Sequence, residues 1–268
     1  MRTHLTVLIP LCLTAALSPA LGGGEEIKLV PLTGPSGSYG VDRWKRDWPG
    51  CGWQDGVKEG HVSLIERDGA PRLRVDYQIG EIGPQDNGAG WRYPIGKRET
   101  AELSYTVRFG EGFDWVKGGK LPGLCGGPEN VSGGRPADGT NGFSARLMWR
   151  KEGRGEAYLY HRNQPDRYGD RLAFPEDFRF PEGIDLRVRM RVTMNDPHKR
   201  NGIIRVWIGI AGEKEDREVV RREDLEWRTV EDFGIDSLYF ETFHGGSDRS
   251  WAPTRASHAE FGAIAVHP

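Results

Sequence analysis

The sequence predicts an all-β protein, a sandwich or jelly roll of two antiparallel sheets, and three observations lead to this prediction. Short segments in which apolar and polar residues alternate recur along most of the chain, as expected when one face of each strand is buried. Clusters of Gly, Pro, Asn and Asp separate these segments, for example at residues 83–88 and 195–197. Helical periodicity is scarce, whereas glycine (38 residues) and tryptophan (9) are abundant, which favours strands joined by turns.

Several segments have the length and the alternation of strands. In chain order, the predicted strands cover residues 72–77, 101–109, 142–150, 156–162, 185–194, 203–210, 237–243 and 261–266. The pattern is clearest at residues 185–194, where apolar even positions face three arginines on the other side. The charge-rich stretch at residues 213–224 lacks this pattern and is predicted to be a solvated connection or a short surface helix.

The N-terminal segment predicts export. Residues 1–22 resemble a secretory signal peptide, because Arg2 and His4 precede a short apolar run at residues 5–17 and small residues follow it. That run is too short for a permanent membrane span, and no later stretch is apolar enough for one; a buried N-terminal helix is the alternative. We therefore expect residues 23–268 to form a single secreted domain, periplasmic or extracellular, without membrane contact.

The cysteines and the net charge restrict the function further. Cys51 and Cys125 remain after removal of the signal, an even number that predicts a disulfide in an oxidising compartment; two free buried thiols are the alternative. No CxxC pair and no paired histidine spacing is present, so we expect no metal and no cofactor. The net charge of −2 creates no strong overall field, so an anion must bind to a local patch. We expect a monomer without a nucleic-acid partner.

Such a patch is predicted on the two strands at residues 142–150 and 156–162. Alternate side chains of a strand share a face, and the apolar face contains Phe143, Leu147, Trp149, Ala157 and Leu159. The opposite face contains Ser144, Arg146, Arg150, Tyr158, Tyr160 and Arg162. A surface that combines cations with two phenols suits a polyanionic ligand, and its phenols are groups that can transfer protons in catalysis.

The segment at residues 110–141 is rich in glycine and contains Lys120. Two interpretations remain open from composition. The segment is either a flexible surface loop with a solvated lysine, or a loop that arches over the predicted patch and presents Lys120 to it. A phosphate-binding loop is excluded, because the GxxxxGK[ST] order is missing.

Several short motifs together resemble polysaccharide lyase family 14, the alginate and glucuronan lyases. The motifs are Gly-Lys-Leu-Pro-Gly-Leu at residues 119–124, Ser144-x-Arg146, Tyr158-x-Tyr160, Phe-His-Gly-Gly at 243–246 and Trp-Ala-Pro at 251–253. They occur in the family's order from about residue 92 to the C-terminus. His244 is a departure, since many relatives have an aromatic residue there.

The resemblance implies a jelly roll whose concave sheet binds a polyuronate, an anionic polysaccharide, and cleaves it by β-elimination. Lys120 and Arg146 would neutralise the uronate carboxylate, which stabilises the enolate-like intermediate, and Ser144 would orient the substrate. Tyr160 is the leading candidate for base and acid, with Tyr158 as its partner or alternative. Spacing does not decide between the two, and cross-strand packing is the alternative role for both.

Other candidates for substrate binding have equally plain structural alternatives. Arg150 and Arg162 either bind neighbouring uronates or are sheet-surface charges. Trp91 and Trp251 either stack on sugar rings or belong to the core. His244 either lines the groove or makes a structural hydrogen bond.

Poly-mannuronate (alginate) is the first expected substrate and glucuronan the second. A non-catalytic carbohydrate-binding jelly roll remains an alternative, although it would not need two phenols beside cations. A retaining glycoside hydrolase needs two carboxylates about 5 Å apart, and the predicted patch offers only Glu156. A serine hydrolase is disfavoured because no GxSxG motif is present.

Overall fold

The computed structural model describes residues 27–268, so the predicted signal peptide at residues 1–22 lies outside the described residues. In chain order, the strands are β1 (Lys28–Leu29), β2 (Gly37–Ser38), β3 (Val62–Arg67), β4 (Ala70–Tyr77), β5 (Ala89–Arg98), β6 (Thr100–Phe109), β7 (Gly118–Gly126), β8 (Phe143–Arg150), β9 (Gly155–Tyr160), β10 (Asp170–Ala173), β11 (Leu186–Thr193), β12 (Gly202–Ile210), β13 (Arg217–Leu225), β14 (Ile235–His244) and β15 (Ser257–His267). Helix α1 spans Val41–Asp47, and single 3₁₀ turns span Lys151–Gly153 and Arg249–Trp251. No helix within residues 27–268 is long and apolar enough to cross a membrane.

The strands form two antiparallel sheets, as predicted. The larger sheet has the order β13-β12-β11-β6-β15-β4-β3-β2, with β1 also paired to β15. The smaller sheet has the order β10-β9-β8-β7-β14-β5. Several neighbours in each sheet are distant in sequence, such as β6 beside β11 and β15, and β14 beside β5 and β7, so the chain crosses repeatedly between the two layers, which is typical of a jelly roll.

The core lies between the sheets and is formed by the alternate residues that each strand turns inward. In β11, Leu186, Val188 and Met190 are buried, whereas the arginines between them are partly or fully exposed. Burial of each such apolar side chain contributes roughly 1.5–3 kcal/mol. Trp91 and Trp149 of the smaller sheet are fully buried in this core. The opposite face of the smaller sheet is therefore left for the functional site.

Two segments differ from the prediction. Residues 213–224 overlap strand β13, because Val219 and Val220 are buried there and Glu218 forms an ion pair with Arg205 of β12. The glycine-rich segment that was predicted as a loop contains β7, which lies between β8 and β14 in the smaller sheet. Its register shifts between Leu121 and Leu124, and such a bulge bends a strand and re-aims its side chains.

The predicted disulfide is wrong, because Cys51 and Cys125 are both free. Cys51 packs against the core. Cys125 is paired in register with Ser144 of β8 and Ser237 of β14, and so faces the other side of the smaller sheet. Burial raises the pKa of each thiol to about 12, which keeps both protonated and unreactive near neutral pH.

Candidate active site

A cavity of about 380 Å³ lies on the face of the smaller sheet that is turned away from the core. The side chains that β7, β8, β9 and β14 direct into it are Lys120, Met148, Arg150, Tyr158, Tyr160 and Phe243. Loop residues complete its wall, namely Gly133, Tyr168, Gly245, Gly246, Ser247 and Trp251. The structure thus brings together Lys120, both predicted tyrosines, Arg150 and Trp251, from segments far apart in sequence.

Lys120 of β7 lines this cavity. Its Nζ lies 2.9 Å from the Sδ atom of Met148 and 3.6 Å from the centre of the Tyr158 ring, so the ammonium group faces the negative side of a phenol ring. Burial, followed by the charges of Arg146 and Arg150, lowers the pKa of Lys120 well below its ordinary value. Neither sequence interpretation is correct as it stands, because Lys120 is presented by a strand and not by a loop.

Tyr158 and Tyr160 are adjacent along the same face of β9. Their ring centres are 5.7 Å apart in an edge-on arrangement. The Tyr158 hydroxyl accepts the Gly169 N–H at 3.1 Å, and the Tyr160 hydroxyl accepts the Gly134 N–H at 2.9 Å. Burial raises the pKa of Tyr158. Two loops thus fix both phenol oxygens at the wall of the cavity, and a side chain at Gly169 would contact both rings.

Arg146 lies beneath this cavity and not in its wall. Its side chain is 1% exposed and forms an ion pair with Glu241 of β14. Its guanidinium carbon is 4.8 Å from the centre of the Tyr239 ring. Burial lowers the pKa of Arg146, but the Glu241 carboxylate and nearby phenols, including Tyr160, raise it more. Arg146 is therefore a buried, fixed positive charge close to both tyrosines of β9.

The profile of the family described as Polysaccharide lyase 14 matches residues 66–264, about three quarters of the chain. The chain belongs to polysaccharide lyase family 14. Among curated proteins, none matches the sequence of this lyase significantly.

Solved structures agree with this assignment. The alginate lyase Aly36B is 26% identical, with a TM-score of 0.76 over 90% of this lyase and 96% of that chain. The PL-14 alginate lyase from Aplysia kurodai is 25% identical, with a TM-score of 0.78 over 91% and 99%. Aly36B was also solved with alginate tetrasaccharide as a lysine/tyrosine double variant, and with alginate trisaccharide as a lysine/methionine double variant. The glucuronan lyase from Trichoderma reesei, at 12% identity and a TM-score of 0.50 over 82% of this lyase and 91% of that chain, shares the fold.

Three residues predicted to bind substrate lie elsewhere in this lyase. Ser144 is buried and donates to the carbonyl of Val131 at 2.7 Å, so it anchors a loop and does not face the cavity. Trp91 is in the core, stacked on Phe240 with ring centres 4.4 Å apart. His244 faces the core because its neighbour Phe243 faces the cavity.

The two other arginines that were predicted to bind substrate differ in position, because one lines the cavity and the other lies outside it. Arg150 lines the cavity, with its guanidinium carbon 5.5 Å from the centre of the Trp251 ring. Arg162 does not line it, because β9 ends at Tyr160 and the alternation ends there too. The Nη1 of Arg162 lies 2.9 Å from Glu226 Oε1. Its predicted place on the functional face is wrong.

Sequence reasoning missed Met148, Glu241 and Tyr168. Met148 shares the parity of Arg146 and Arg150 in β8, and this signal was sufficient to place it on the functional face. Glu241 has the same parity as Phe243 in β14. Tyr168 belongs to an irregular loop, where side-chain direction has no periodic signal.

Because His244 is buried, we expect the protein to lose stability at low pH. Its ring lies among Tyr77, Phe113 and Trp149, and its Nε2 is 2.6 Å from the carbonyl oxygen of Asp114. Burial lowers the pKa of His244 from 6.5 to about 4. Because the unfolded chain binds this proton more readily, stability falls as the pH drops from about 6.5 to 4, by roughly 3 kcal/mol.

The measurement is the free energy of unfolding by urea at pH 7 and pH 4. His244→Phe keeps an aromatic ring but cannot titrate, so its stability should fall less over the same interval. The same fall in the variant as in the native protein would show that other groups cause the acid sensitivity.

Proposed function

We propose that this lyase cleaves a β-1,4-linked polyuronate, with poly-mannuronate as the preferred substrate, by β-elimination that needs no metal ion. The observation that carries the proposal is the position of Lys120 within one cavity beside Tyr158, Tyr160 and Met148. A cation and two phenols are the groups that elimination next to a carboxylate requires. The product has an unsaturated uronate at its new non-reducing end.

The alginate complexes of Aly36B support this proposal. The lysine and methionine replaced in one of them are 28 residues apart, and Lys120 and Met148 have the same separation. The other complex replaces a lysine and a tyrosine, which correspond by type to Lys120 and one tyrosine of β9. Both variants of that protein were solved in complex with alginate oligosaccharides, as expected if the equivalent groups here act on the sugar chain.

The first chemical requirement is neutralisation of the uronate carboxylate. The C5 hydrogen is weakly acidic, since its removal places more negative charge on the adjacent carboxylate. Lys120, with its Nζ over the Tyr158 ring, is assigned to this carboxylate, because Arg150, the other cation that lines the cavity, is paired with Glu156. Arg146 adds positive charge from below, but its guanidinium is already paired with Glu241. We therefore assign Arg146 as a positioning residue that acts through the electrostatic environment of the phenols.

The second requirement is a base for C5 and an acid for O4. In mannuronate and glucuronate the C5 hydrogen and O4 lie on the same ring face, whereas in guluronate they lie on opposite faces. Tyr158 and Tyr160 project from one face of one strand, which suits elimination on a single side. Tyr160 is the leading base, and Tyr158 remains protonated because burial raises its pKa, so it can donate to O4.

The test is near-ultraviolet absorbance with purified protein on poly-mannuronate, poly-guluronate and glucuronan in separate reactions. Elimination creates a conjugated double bond that absorbs there, whereas hydrolysis creates none. The proposal expects the fastest rise on poly-mannuronate. A faster rise on glucuronan would make that polymer the substrate, and no rise on any of them would overturn the proposal.

The lowered pKa of Lys120 predicts that substrate binding takes up a proton. A bound carboxylate favours the charged ammonium and raises the pKa that burial, Arg146 and Arg150 lower in the free protein. Between the two pKa values, affinity should decrease as the pH rises. Calorimetric titration of the Tyr160→Phe variant, in which we expect slow turnover, with mannuronate oligosaccharides should therefore give a binding enthalpy that depends on the ionisation enthalpy of the buffer. An enthalpy that is identical in all buffers would contradict this linkage.

Secretion is proposed from the sequence alone. Residues 1–22 have the charge and hydropathy order of a signal peptide, and a polymeric substrate is too large to be taken up readily. The mature chain would be residues 23–268, folded as one domain. N-terminal sequencing of protein recovered outside the cell should start near residue 23; recovery of the protein only inside the cell would refute export.

A further inference from the structure

A second and larger cavity, of about 960 Å³, adjoins the cavity that contains Lys120. The two cavities share the side chains of Arg150 and Trp251. We call this second cavity the distal cleft. It is bounded by residues 150–156 at the end of β8 and the start of β9, and by residues 171–179 in β10 and the segment after it. A chain lying in the first cavity can therefore continue past Arg150 and Trp251 into the distal cleft.

The distal cleft is positively charged although the whole protein is not. Its cationic lining residues are Lys117, Arg150, Lys151, Arg154, Arg171 and Arg179. Three acidic residues also line it, so that six cations face three carboxylates, within a protein of net charge −2. One of the three, Glu156, is buried and already shared by Arg150 and Arg171. The local excess of positive charge indicates an anionic ligand.

Two of these arginines are exposed and make only weak contacts with carboxylates. Arg179 is exposed and donates to the backbone carbonyls of Glu176 and Phe178, and the nearby Asp177 carboxylate, which is exposed, pairs with Arg217. The side chain of Arg154 is 64% exposed, and its Nη2 lies 3.9 Å from Oε2 of Glu152, a long ion pair. Exposed arginines of this kind can form bidentate contacts with incoming carboxylates at little desolvation cost.

Trp251 connects the two cavities with an apolar surface. One side of its ring packs so closely on Gly246 that a Cβ there would lie 2.1 Å from the ring. Lys117 Nζ and the guanidinium carbon of Arg150 lie 5.9 and 5.5 Å from the ring centre. An indole with neighbouring cations can contact the apolar face of a sugar while its carboxylate is neutralised.

We propose that the distal cleft binds the carboxylates of uronate residues remote from the bond that is cleaved, and that the enzyme therefore acts better on long chains than on short oligosaccharides. The inference rests on the proposed polyuronate substrate and specifies how much of the polymer the enzyme recognises. Every residue of a polyuronate carries one carboxylate, so each further residue in the cleft meets another cation. Such remote contacts raise kcat/KM for the substrates that reach them.

The test compares two triple variants that remove the same charge. Lys151→Ala, Arg154→Ala and Arg179→Ala together remove three exposed cations of the distal cleft and leave the first cavity intact. Lys45→Ala, Lys58→Ala and Arg191→Ala remove three exposed cations that line neither cavity. Initial rates are measured by near-ultraviolet absorbance on mannuronate oligosaccharides of increasing length and on the polymer.

In the native protein, kcat/KM should rise with chain length. The cleft variant should retain the native value on the shortest cleaved oligosaccharide and lose roughly tenfold on the polymer, the combined effect of three exposed charge contacts. The control variant should follow the native curve. An identical length dependence in the cleft variant and the native protein would overturn the proposal.

Binding separates this inference from the proposed reaction. The dissociation constant for poly-mannuronate is measured by affinity electrophoresis with the native protein and both triple variants, and does not depend on turnover. Weaker binding by the cleft variant alone supports the distal cleft even if no polymer is cleaved. Equal binding by all three proteins refutes it, whether or not elimination is observed.

Discussion

Replacement of Tyr160 by Phe should reduce kcat on poly-mannuronate by about 10²–10⁴-fold, the usual contribution of general acid–base catalysis. The change removes only the hydroxyl that we assign to abstraction of the C5 proton, while the ring stays in the cavity wall. Lys120 can still neutralise the carboxylate, so KM should change much less than kcat. Initial rates of absorbance increase over a range of polymer concentrations measure both constants.

In this variant, a loss of stability must be distinguished from a loss of catalysis. The Tyr160 hydroxyl accepts the Gly134 N–H at 2.9 Å in a buried position, and an unsatisfied buried donor costs about 1–3 kcal/mol. Thermal unfolding of the variant must therefore be recorded, and the rates measured well below its transition. Tyr168→Phe is the matched control, because Tyr168 lines the same cavity but is 50% exposed.

Tyr158→Phe decides between the two phenols. If Tyr160 is the base and Tyr158 the acid, both single variants should be slow. A Tyr160→Phe enzyme with native turnover, beside an inactive Tyr158→Phe enzyme, would transfer both proton-transfer steps to Tyr158. Native turnover in both variants would remove the tyrosines from the mechanism altogether.

Local alternation was sufficient to predict one side of the site. In β8 and β9 the side-chain period is two, so one correctly assigned residue fixes the direction of all the others. This rule placed Arg146, Tyr158 and Tyr160 away from the core. It failed for Arg162 because β9 ends two residues earlier, and strand ends have no sharp signal in the alternation itself.

The position of Lys120 could not be predicted in the same way. Strand β7 has a glycine-rich sequence with Pro122, a composition that is depleted in strands. Glycine is needed because neighbouring groups approach closely; a Cβ on Gly119 would lie 2.1 Å from the ring of Trp149. The packing partner comes from another strand, so the requirement is tertiary and is not contained in the local pattern.

The roles of residues that depend on partners distant in sequence could also not be predicted from local patterns. The sequence alone does not show whether a tryptophan such as Trp91 binds sugar or packs in the core. The packing of Trp48 and Phe240 against Trp91 places it in the core. Likewise, the sequence predicted a cation at Arg146 but not the acidic partner, which lies 95 residues further along the chain. This pairing changes what a substitution at Arg146 should do.

Arg146→Ala should lower the free energy of unfolding by about 3–5 kcal/mol, the usual consequence of leaving one member of a buried ion pair alone. Arg146 and Glu241 have side chains that are 1% and 7% exposed, so water cannot replace the lost partner well. Urea unfolding at neutral pH measures the effect. A loss below about 1 kcal/mol would show that Glu241 is easily compensated without the arginine.

A double variant separates the structural role of this charge from its role in the reaction. Arg146→Met with Glu241→Gln removes both charges and retains the side-chain volume, so most of the stability should return, as it does when a buried pair is replaced as a unit. The activity should not return, because the fixed positive charge beneath Tyr158 and Tyr160 is still missing. Recovery of both stability and turnover would mean that Arg146 only supports the fold. Recovery of stability without turnover would show that its charge also acts on the phenols of β9.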